Sequence, residues 1–355
     1  MSIENSKFQI YWGKFKRSPR TVVSLVSIWV GWLLDHIALL ILRLFPWVVA
    51  RLVSYMARSG EGTDTCLKLG SLPLPVHFYS PVPDMKDLET RQVWSKRSSL
   101  PGVDFRPADQ LELLSELGET FGDECHWPSE DPGDPGKYYL NPDFPFSFGC
   151  AAGTHSMVRY FKPRRVIEFG SGASSKVLAA ALQQNARQDQ SDQYDYTIID
   201  PYPGGLIAEG KLPGVTQLHK MGAEEAPIEW FDALEANDIL FIDSGHVVRI
   251  GSDVNYAILD IMPRLKPGVL IHFHDVPMPY EYHKVYYTGR PAFRVFWTES
   301  YLLQAFLIYN QQFEVLLALK YLMEEQKEKF RSAFPHFDPQ SPAVSESFWI
   351  RRAVG

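Results

Sequence analysis

Polar residues that could carry chemistry lie at the ends of predicted strands. The candidates are Glu168, Gly170, Ser171, Gly172, Asp200, Asp243, His246, His274 and Asp275. Carboxylates and imidazoles can exchange protons, ligate metal ions and accept hydrogen bonds from ribose hydroxyls. Glycines let a ligand approach backbone N–H groups where a strand turns into a helix. The set therefore predicts a ligand site that combines nucleoside binding with proton transfer or metal binding.

The elements that must position these residues alternate between strand and helix. Apolar runs predict strands at residues 165–169, 196–200, 216–220, 238–243, 268–275, 313–319 and 347–353. Helical patterns cover residues 174–186, 253–265 and 300–310. This alternation predicts an α/β fold with a doubly wound, mostly parallel sheet. In such sheets ligands bind at the carboxyl ends of the strands, beside the point where strand order reverses, and the candidates fall at those ends.

Composition limits the function classes. The chain has 355 residues, a formal net charge of -7 and 45% hydrophobic residues, so it can bury a large core. Without a positive field, nucleic acid is not an expected partner. Cys66, Cys125 and Cys150 are widely spaced with no CxxC pair, which argues against a disulfide framework or a zinc ribbon. These features favour a reducing compartment, and we predict a cytoplasmic protein.

The N-terminal segment combines a basic stretch at residues 14–20 with an apolar run at 21–57. The run is long enough to span a bilayer, but Asp35 and His36 near its middle would be costly there. Polar residues recur every seven or eight positions, at His36, Arg43, Arg51 and Arg58. We therefore predict that residues 14–58 contact the cytoplasmic face of a membrane as an interfacial helix. The alternative is docking on the rest of the chain or on a second copy, which would give a homo-oligomer.

Composition also divides the chain into three regions. Residues 1–60 are the N-terminal helical segment, which Pro46 is expected to kink. Residues 61–150 are rich in Pro, Gly and aromatic residues around one predicted helix at 107–121. We interpret them as a cap or substrate lid, with a plain linker as the alternative. Residues 151–355 hold the alternating strands and helices.

Two stretches of the last region resemble a known family. VIEFGSG, residues 166–172, resembles motif I of class I S-adenosylmethionine-dependent methyltransferases. Residues 238–276 are similar to the block between the fourth and fifth strands of the sugar and macrolide O-methyltransferases. The resemblance covers residues 150–355 and implies a seven-stranded Rossmann-like fold in which the last two strands are antiparallel.

The resemblance also assigns the cofactor. It implies that the turn residues Glu168, Gly170, Ser171 and Gly172 contact the methionine and ribose part of S-adenosylmethionine. It implies that Asp200 holds the ribose. A nicotinamide dehydrogenase is the competing use of such a fold, but Ser175 stands where the third fingerprint glycine would be.

Methyl transfer to oxygen is an in-line displacement, so an alcohol acceptor must be made nucleophilic by a general base or a divalent cation. By the resemblance, Asp243, His274 and Asp275 would hold magnesium or manganese. His246, three residues beyond the first ligand, would be the base. His274 departs from the all-oxygen set that magnesium prefers, which favours manganese, iron or zinc, or a site without a metal. His272, on the same strand face, is expected to be a core residue.

The segment after the fifth predicted strand, residues 277–300, is rich in Tyr, Trp, Phe and Arg and should border the acceptor. Aromatic faces with a few polar donors suit sugars and phenolic rings. We predict O-methylation of a hydroxyl on a sugar, glycan or other small molecule. The alternative function is a nucleoside-cofactor-binding scaffold, or a regulatory pseudo-methyltransferase, without turnover.

Overall fold

The computed structural model describes residues 25–141, 146–191, 193–288, 294–338 and 345–354. The chain divides into two units, Met1–Gln92 and Val93–Gly355. The division falls at residue 92, whereas the predicted regions end at residues 60 and 150, so residues 93–150 belong to the same unit as the sheet. The predicted basic stretch at 14–20 lies outside the described residues.

The described part of the first unit is helical. Its helices are α1 (Leu25–Leu44), α2 (Pro46–Ser59), α3 (Thr63–Lys68) and α4 (Met85–Thr90). The predicted kink at Pro46 is a complete break, because Pro46 begins a new helix, where a missing N–H costs nothing. Gly60 ends α2 in the left-handed conformation, with φ +77°, and donates its N–H to Met56 O. Among the described residues no single helix is long and apolar enough to cross a membrane, whereas Leu33–Leu44 and Pro46–Ser59, bent by 107°, satisfy length and composition together.

The second unit is built on one sheet, which has seven strands among the described residues. They are β1 (Arg165–Phe169), β2 (Asp195–Ile199), β3 (Gln217–His219), β4 (Ile239–Ile242), β5 (Leu270–Phe273), β6 (Phe313–Ala318) and β7 (Phe348–Arg352). Their order is β3-β2-β1-β4-β5-β7-β6. Strands β1 to β5 are parallel, and β7 runs antiparallel to both β5 and β6. The predicted Rossmann-like, seven-stranded fold is confirmed, and strand order reverses between β1 and β4.

Helices surround this sheet. They are α5 (Pro107–Phe121), α6 (Phe148–Phe161), α7 (Ala173–Asp189), α8 (Gly205–Ala208), α9 (Glu229–Asp232), α10 (Asp253–Asn255), α11 (Val285–Thr288), α12 (Glu299–Leu307), α13 (Leu319–Glu325) and α14 (Lys327–Ala333). The helix predicted at 253–265 begins as α10 but continues as a π-helix over Tyr256–Ile261 and a 3-10 turn over Met262–Arg264. Pro263 has no N–H to donate, so the regular ladder cannot continue to the end. Helices α6, α13 and α14 had no counterpart in the sequence predictions.

A polar network joins the turn after α5 to helices α6 and α7. Arg159 on α6 donates Nε to Glu124 Oε2 at 2.9 Å and also hydrogen-bonds Asn185 on α7. His155 Nε2 lies 2.8 Å from the same Glu124 oxygen. Glu124 lies in the turn after α5, so this part of the predicted cap is fixed to the sheet domain.

Candidate active site at the strand ends

The turn after β1 meets the turn after β4 where strand order reverses. Gly170 has φ +77°, and a Cβ placed there would lie 1.9 Å from the carbonyl oxygen of Asp243. The backbone N–H of Asp243 in turn donates to Phe169 O at 3.0 Å. Gly170 is therefore required by the close approach of two backbone turns, a role independent of the cofactor contact predicted for it.

The next two residues of this turn have different surroundings. Gly172 lies beside open space, and Ser171 is hydrogen-bonded to Asp200. A Cβ on Gly172, at the start of α7, would meet no atom within 4 Å. Ser171 Oγ donates to Asp200 Oδ2, and the N–H of Tyr202 donates to Asp200 Oδ1 at 2.7 Å. The carboxylate after β2 is thus held beside the Gly-rich turn, and Gly172 leaves room above the turn for a ligand.

Glu168 points into the core beneath this turn. Its carboxyl is fully buried and accepts hydrogen bonds from Ser174 at 2.6 Å, Ser175 at 2.7 Å and Tyr196 at 2.5 Å. Burial raises its pKa to about 8, against the opposing effect of these hydroxyls. In this geometry Glu168 anchors the start of α7, and its side chain does not reach the open edge where a cofactor contact was predicted.

The raised pKa of Glu168 predicts a pH dependence of stability. Since the folded-state pKa rises from 4.5 to about 8, the contribution of the neutral carboxyl is fully present below pH 4.5 and is lost as the pH approaches 8. In Glu168→Gln the free energy of unfolding, measured in urea, should fall less across this interval than in the wild type. The exposed Glu235→Gln serves as the control. Identical slopes in wild type and Glu168→Gln would contradict the prediction.

Asp243, His246 and Asp275 converge at the ends of β4 and β5. One ligand atom from each lies within 4.8 Å of the others. His246 Nε2 is 3.4 Å from Asp243 Oδ1 and 3.7 Å from Asp275 Oδ2. His246 and Asp275 both have positive φ angles, +55° and +57°. Left-handed backbone is uncommon for such residues and concentrates at functional sites, where the surrounding structure must enforce it.

Glu299, at the start of α12, hydrogen-bonds the other nitrogen of the His246 imidazole. His246 Nδ1 lies 2.8 Å from Glu299 Oε2, and Glu299 is fully buried. The carbonyl of His246 accepts the N–H of Thr298 at 2.9 Å and that of Glu299 at 3.1 Å. Sequence reasoning missed Glu299, whose place in the first turn of a helix is ordinary for an acidic residue and gave no signal.

In the cluster, interactions between charged groups shift the pKa values of His246 and Asp243 in the direction opposite to the effect of burial. Burial alone would lower the pKa of His246, but hydrogen bonds to Asp243 and Glu299 hold that pKa well above its ordinary value. Burial alone would raise the pKa of Asp243, but the charge of His274 and the hydrogen bond of His246 hold it well below its usual range. Three carboxylates thus surround one imidazole, an arrangement that favours positive charge between them.

His274 and His272 differ from the other candidates. His274 Nδ1 lies 3.5 Å from Asp243 Oδ1 and 3.4 Å from Asp275 Oδ1, and its ring stacks on Phe146 at 5.2 Å. The three side chains whose ligand atoms converge are Asp243, His246 and Asp275, so the histidine of this group is His246 and the predicted ligand His274 is not part of it. His272 is fully buried and stacks on Phe241 at 3.8 Å, although neither ring nitrogen has a hydrogen-bond partner among the described residues.

Glu299 is expected to act as a positioning residue for the imidazole. Glu299→Gln keeps the side-chain shape but removes the charge that fixes which nitrogen of His246 carries the proton. We expect Mn²⁺ affinity, measured by electron paramagnetic resonance titration, to fall about 10- to 100-fold. Glu281→Gln is the matched control, since Glu281 accepts hydrogen bonds from Tyr301 and from the Tyr282 N–H, outside the cluster. Equal Mn²⁺ affinities in both variants would rule out the positioning role.

Comparison with known proteins bears on this geometry. A family model described as a methyltransferase domain matches residues 167–276. Residues 167–276 are therefore similar to a methyltransferase domain. The matched stretch includes every predicted site residue from Glu168 to Asp275 and ends before Glu299.

Other proteins resemble the chain more distantly. An uncharacterized protein of Archaeoglobus fulgidus is 25% identical over 201 residues, which cover 55% of this chain and 88% of that protein. An SAH-bound methyltransferase from Podospora anserina is 18% identical, with a TM-score of 0.33 over 77% of this chain and 98% of that chain. A putative methyltransferase from Thermobifida fusca is 12% identical, with a TM-score of 0.34 over 72% and 98%. The plantazolicin methyltransferase BamL, solved with SAH, is 12% identical, with a TM-score of 0.34 over 69% and 96%.

Aromatic side chains line one side of the cluster. The ring of Trp297 lies 4.8 Å from that of His246 and 4.5 Å from that of Tyr286. The hydroxyl of Tyr286 donates to Glu346 Oε2 at 3.2 Å. These residues belong to or contact the segment predicted to border the acceptor, of which residues 289–293 lie outside the described residues.

Proposed function

We propose that the methyltransferase domain is catalytically active and methylates a hydroxyl oxygen of a sugar, glycan or other small molecule. The observation that carries the proposal is the cluster of Asp243, His246 and Asp275, within 4.8 Å, beside the Gly-rich turn where strand order reverses. A scaffold that only bound a nucleoside would not need convergent acids and an imidazole there.

The residues around the Gly-rich turn fit the predicted cofactor. S-adenosylmethionine would supply a methyl group on a positively charged sulfur. Gly172 leaves open space at the start of α7, and Asp200 offers a carboxylate beside it for ribose hydroxyls. Glu168 supports the turn from below through Ser174 and Ser175.

The cluster fits a divalent cation. Two carboxylates and one imidazole suit manganese better than magnesium, and Glu299 gives the imidazole the second hydrogen bond that histidine ligands usually make. When bound, the cation would lower the pKa of an acceptor hydroxyl. We infer that His246 is a ligand in this state. Without a cation its carboxylate neighbours favour the protonated imidazole, which cannot act as the base. With a cation held by Asp243 and Asp275, the imidazole would lose that proton and bind the cation in its neutral form.

The chain's own residues then have distinct tasks. The acceptor oxygen forms a bond to the methyl carbon as the carbon–sulfur bond breaks, and the hydroxyl proton passes to a carboxylate of the cluster. Trp297 and Tyr286 provide an aromatic wall that positions the acceptor and excludes water. Displacement requires the donor and acceptor in line, so holding both is most of the catalysis.

Calorimetric titration of the full chain tests the cofactor. We expect micromolar binding of S-adenosylmethionine and S-adenosylhomocysteine and no binding of NAD. Absence of binding to either sulfur nucleoside by a folded sample would overturn the proposal.

A turnover assay tests the reaction. S-adenosylhomocysteine formation is measured with a simple glycoside and with catechol as acceptors, in a chelator and then with added Mg²⁺ or Mn²⁺. We expect turnover that depends on the cation. Cofactor binding with no turnover on either acceptor would favour the scaffold reading, and full turnover in the chelator would return His246 to the role of base.

A further inference from the structure

Residues 33–92 of the first unit form no apolar core of their own. Among residues 33–92 no described side chain is buried. The exposed large apolar residues of α1, α2 and their junction are Leu33, Leu34, Ile37, Leu39, Leu40, Ile41, Leu42, Leu44, Phe45, Trp47, Val48, Leu52 and Val53. Soluble monomers rarely leave so much adjacent apolar surface in water. Something must cover this surface.

The pattern of α2 indicates what covers it. Arg51, Ser54, Tyr55 and Arg58 share one face at helical spacing. Val49, Leu52, Val53 and Met56 form the opposite face. The helix contains no acidic residue, and Arg58 lies in its last turn. An apolar face opposite a polar face whose charged residues are all basic is typical of helices that lie in the interface of an anionic bilayer.

The neighbouring helix fits the same surface. Asp35, His36 and Arg43 lie on one side of α1, and the rest of its described side chains are almost all apolar. Two helices can lie in one plane at any angle, so the bend of 107° lets both contact a flat surface. Trp47, which is 66% exposed, and Tyr55, which is 50% exposed, have the amphipathic rings found at membrane–water boundaries.

We propose that α1 and α2 dock the protein on an anionic lipid surface. The apolar face of α2 enters the outer acyl region, and Arg51 and Arg58 contact lipid phosphates. A second copy of the chain would cover the apolar faces equally well, but its α1 and α2 would bring one acidic residue, Asp35, against Arg43, Arg51 and Arg58, so basic charge would remain in excess. The inference does not depend on the proposed activity.

Flotation of the full chain with vesicles tests the docking surface. One set of vesicles is phosphatidylcholine alone, and in the other about a third of the lipid is phosphatidylserine. We expect flotation with the anionic vesicles at low salt, weak flotation with the neutral ones, and weaker flotation with the anionic vesicles at high salt. Equal flotation with neutral and anionic vesicles at every salt concentration would overturn docking on anionic lipid.

Paired variants separate lipid binding from folding. Arg51→Ala with Arg58→Ala should weaken partition about 30-fold, and Arg51→Lys with Arg58→Lys should restore it. Leu52→Glu with Val53→Glu should abolish flotation. Circular dichroism melting, expected to be unchanged, checks that each variant is folded. A folded wild type that does not float, and whose dimer in sedimentation equilibrium is dissociated by the Glu variant, would assign the surface to a second copy and overturn the proposal.

Discussion

His246→Ala should reduce S-adenosylhomocysteine formation by about 100- to 10,000-fold, while S-adenosylmethionine affinity stays within a factor of about two. The reason is spatial. His246 lies among Asp243, Asp275 and Glu299, beyond the ends of β4 and β5, and the cofactor candidates lie in the turns after β1 and β2. Single-turnover kinetics and calorimetry on the same preparation measure the two effects.

A Mn²⁺ titration of the same variant separates its possible roles. A parallel loss of Mn²⁺ affinity would support the ligand role, and retained affinity with lost turnover would support the base. His336→Ala, an exposed histidine that stacks on His126, is the matched control. Undiminished turnover in His246→Ala would remove His246 from the reaction under either role.

Gly170→Ala should destabilise the protein by about 3 kcal/mol or more, because the new Cβ would collide with backbone and the residue would keep a positive φ. The colliding atom is the carbonyl oxygen of Asp243 at 1.9 Å, which no side-chain rotation can relieve. For a chain of this size such a loss lowers Tm by about 5 °C. Thermal and urea unfolding measure it.

Gly172→Ala provides the contrast two residues later. Its Cβ meets no atom within 4 Å, so stability should change by about 1 kcal/mol or less. The methyl group would instead enter the space assigned to the cofactor and weaken S-adenosylmethionine binding about tenfold. If both variants unfolded alike, or if Gly172→Ala bound the cofactor normally, the assignment of the two glycines would be wrong.

The strand ends were predictable because their signals are local. The apolar runs placed β4 and β5 within a few residues of their observed bounds, and the first polar residue after β4, Asp243, falls at the open edge. The grouping of side chains was less predictable. Asp275 turns through a left-handed conformation, so the order of His274 and Asp275 along the chain does not tell that Asp275 converges with Asp243 and His246 while His274 also contacts both carboxylates.

Other features depend on contacts distant in sequence. Glu299 meets His246 across 53 residues, and no local pattern marks such a partner. The resemblance to methyltransferase motif I implied that Glu168 would contact the cofactor. Three hydroxyls, one of them from Tyr196 on the neighbouring strand, hold its carboxyl in the core instead.

The position of β7 constrains how the chain can fold during synthesis. Among the described residues strand β6 pairs with β7 alone, and β7 lies between β5 and β6. Residues 348–352 are therefore interior to the sheet although they are its last strand in the sequence. While the ribosome is still making them, β5 has an open edge and β6 has no partner in the sheet. The nascent domain thus passes through a stage with unpaired strand edges, at which chaperones are most needed.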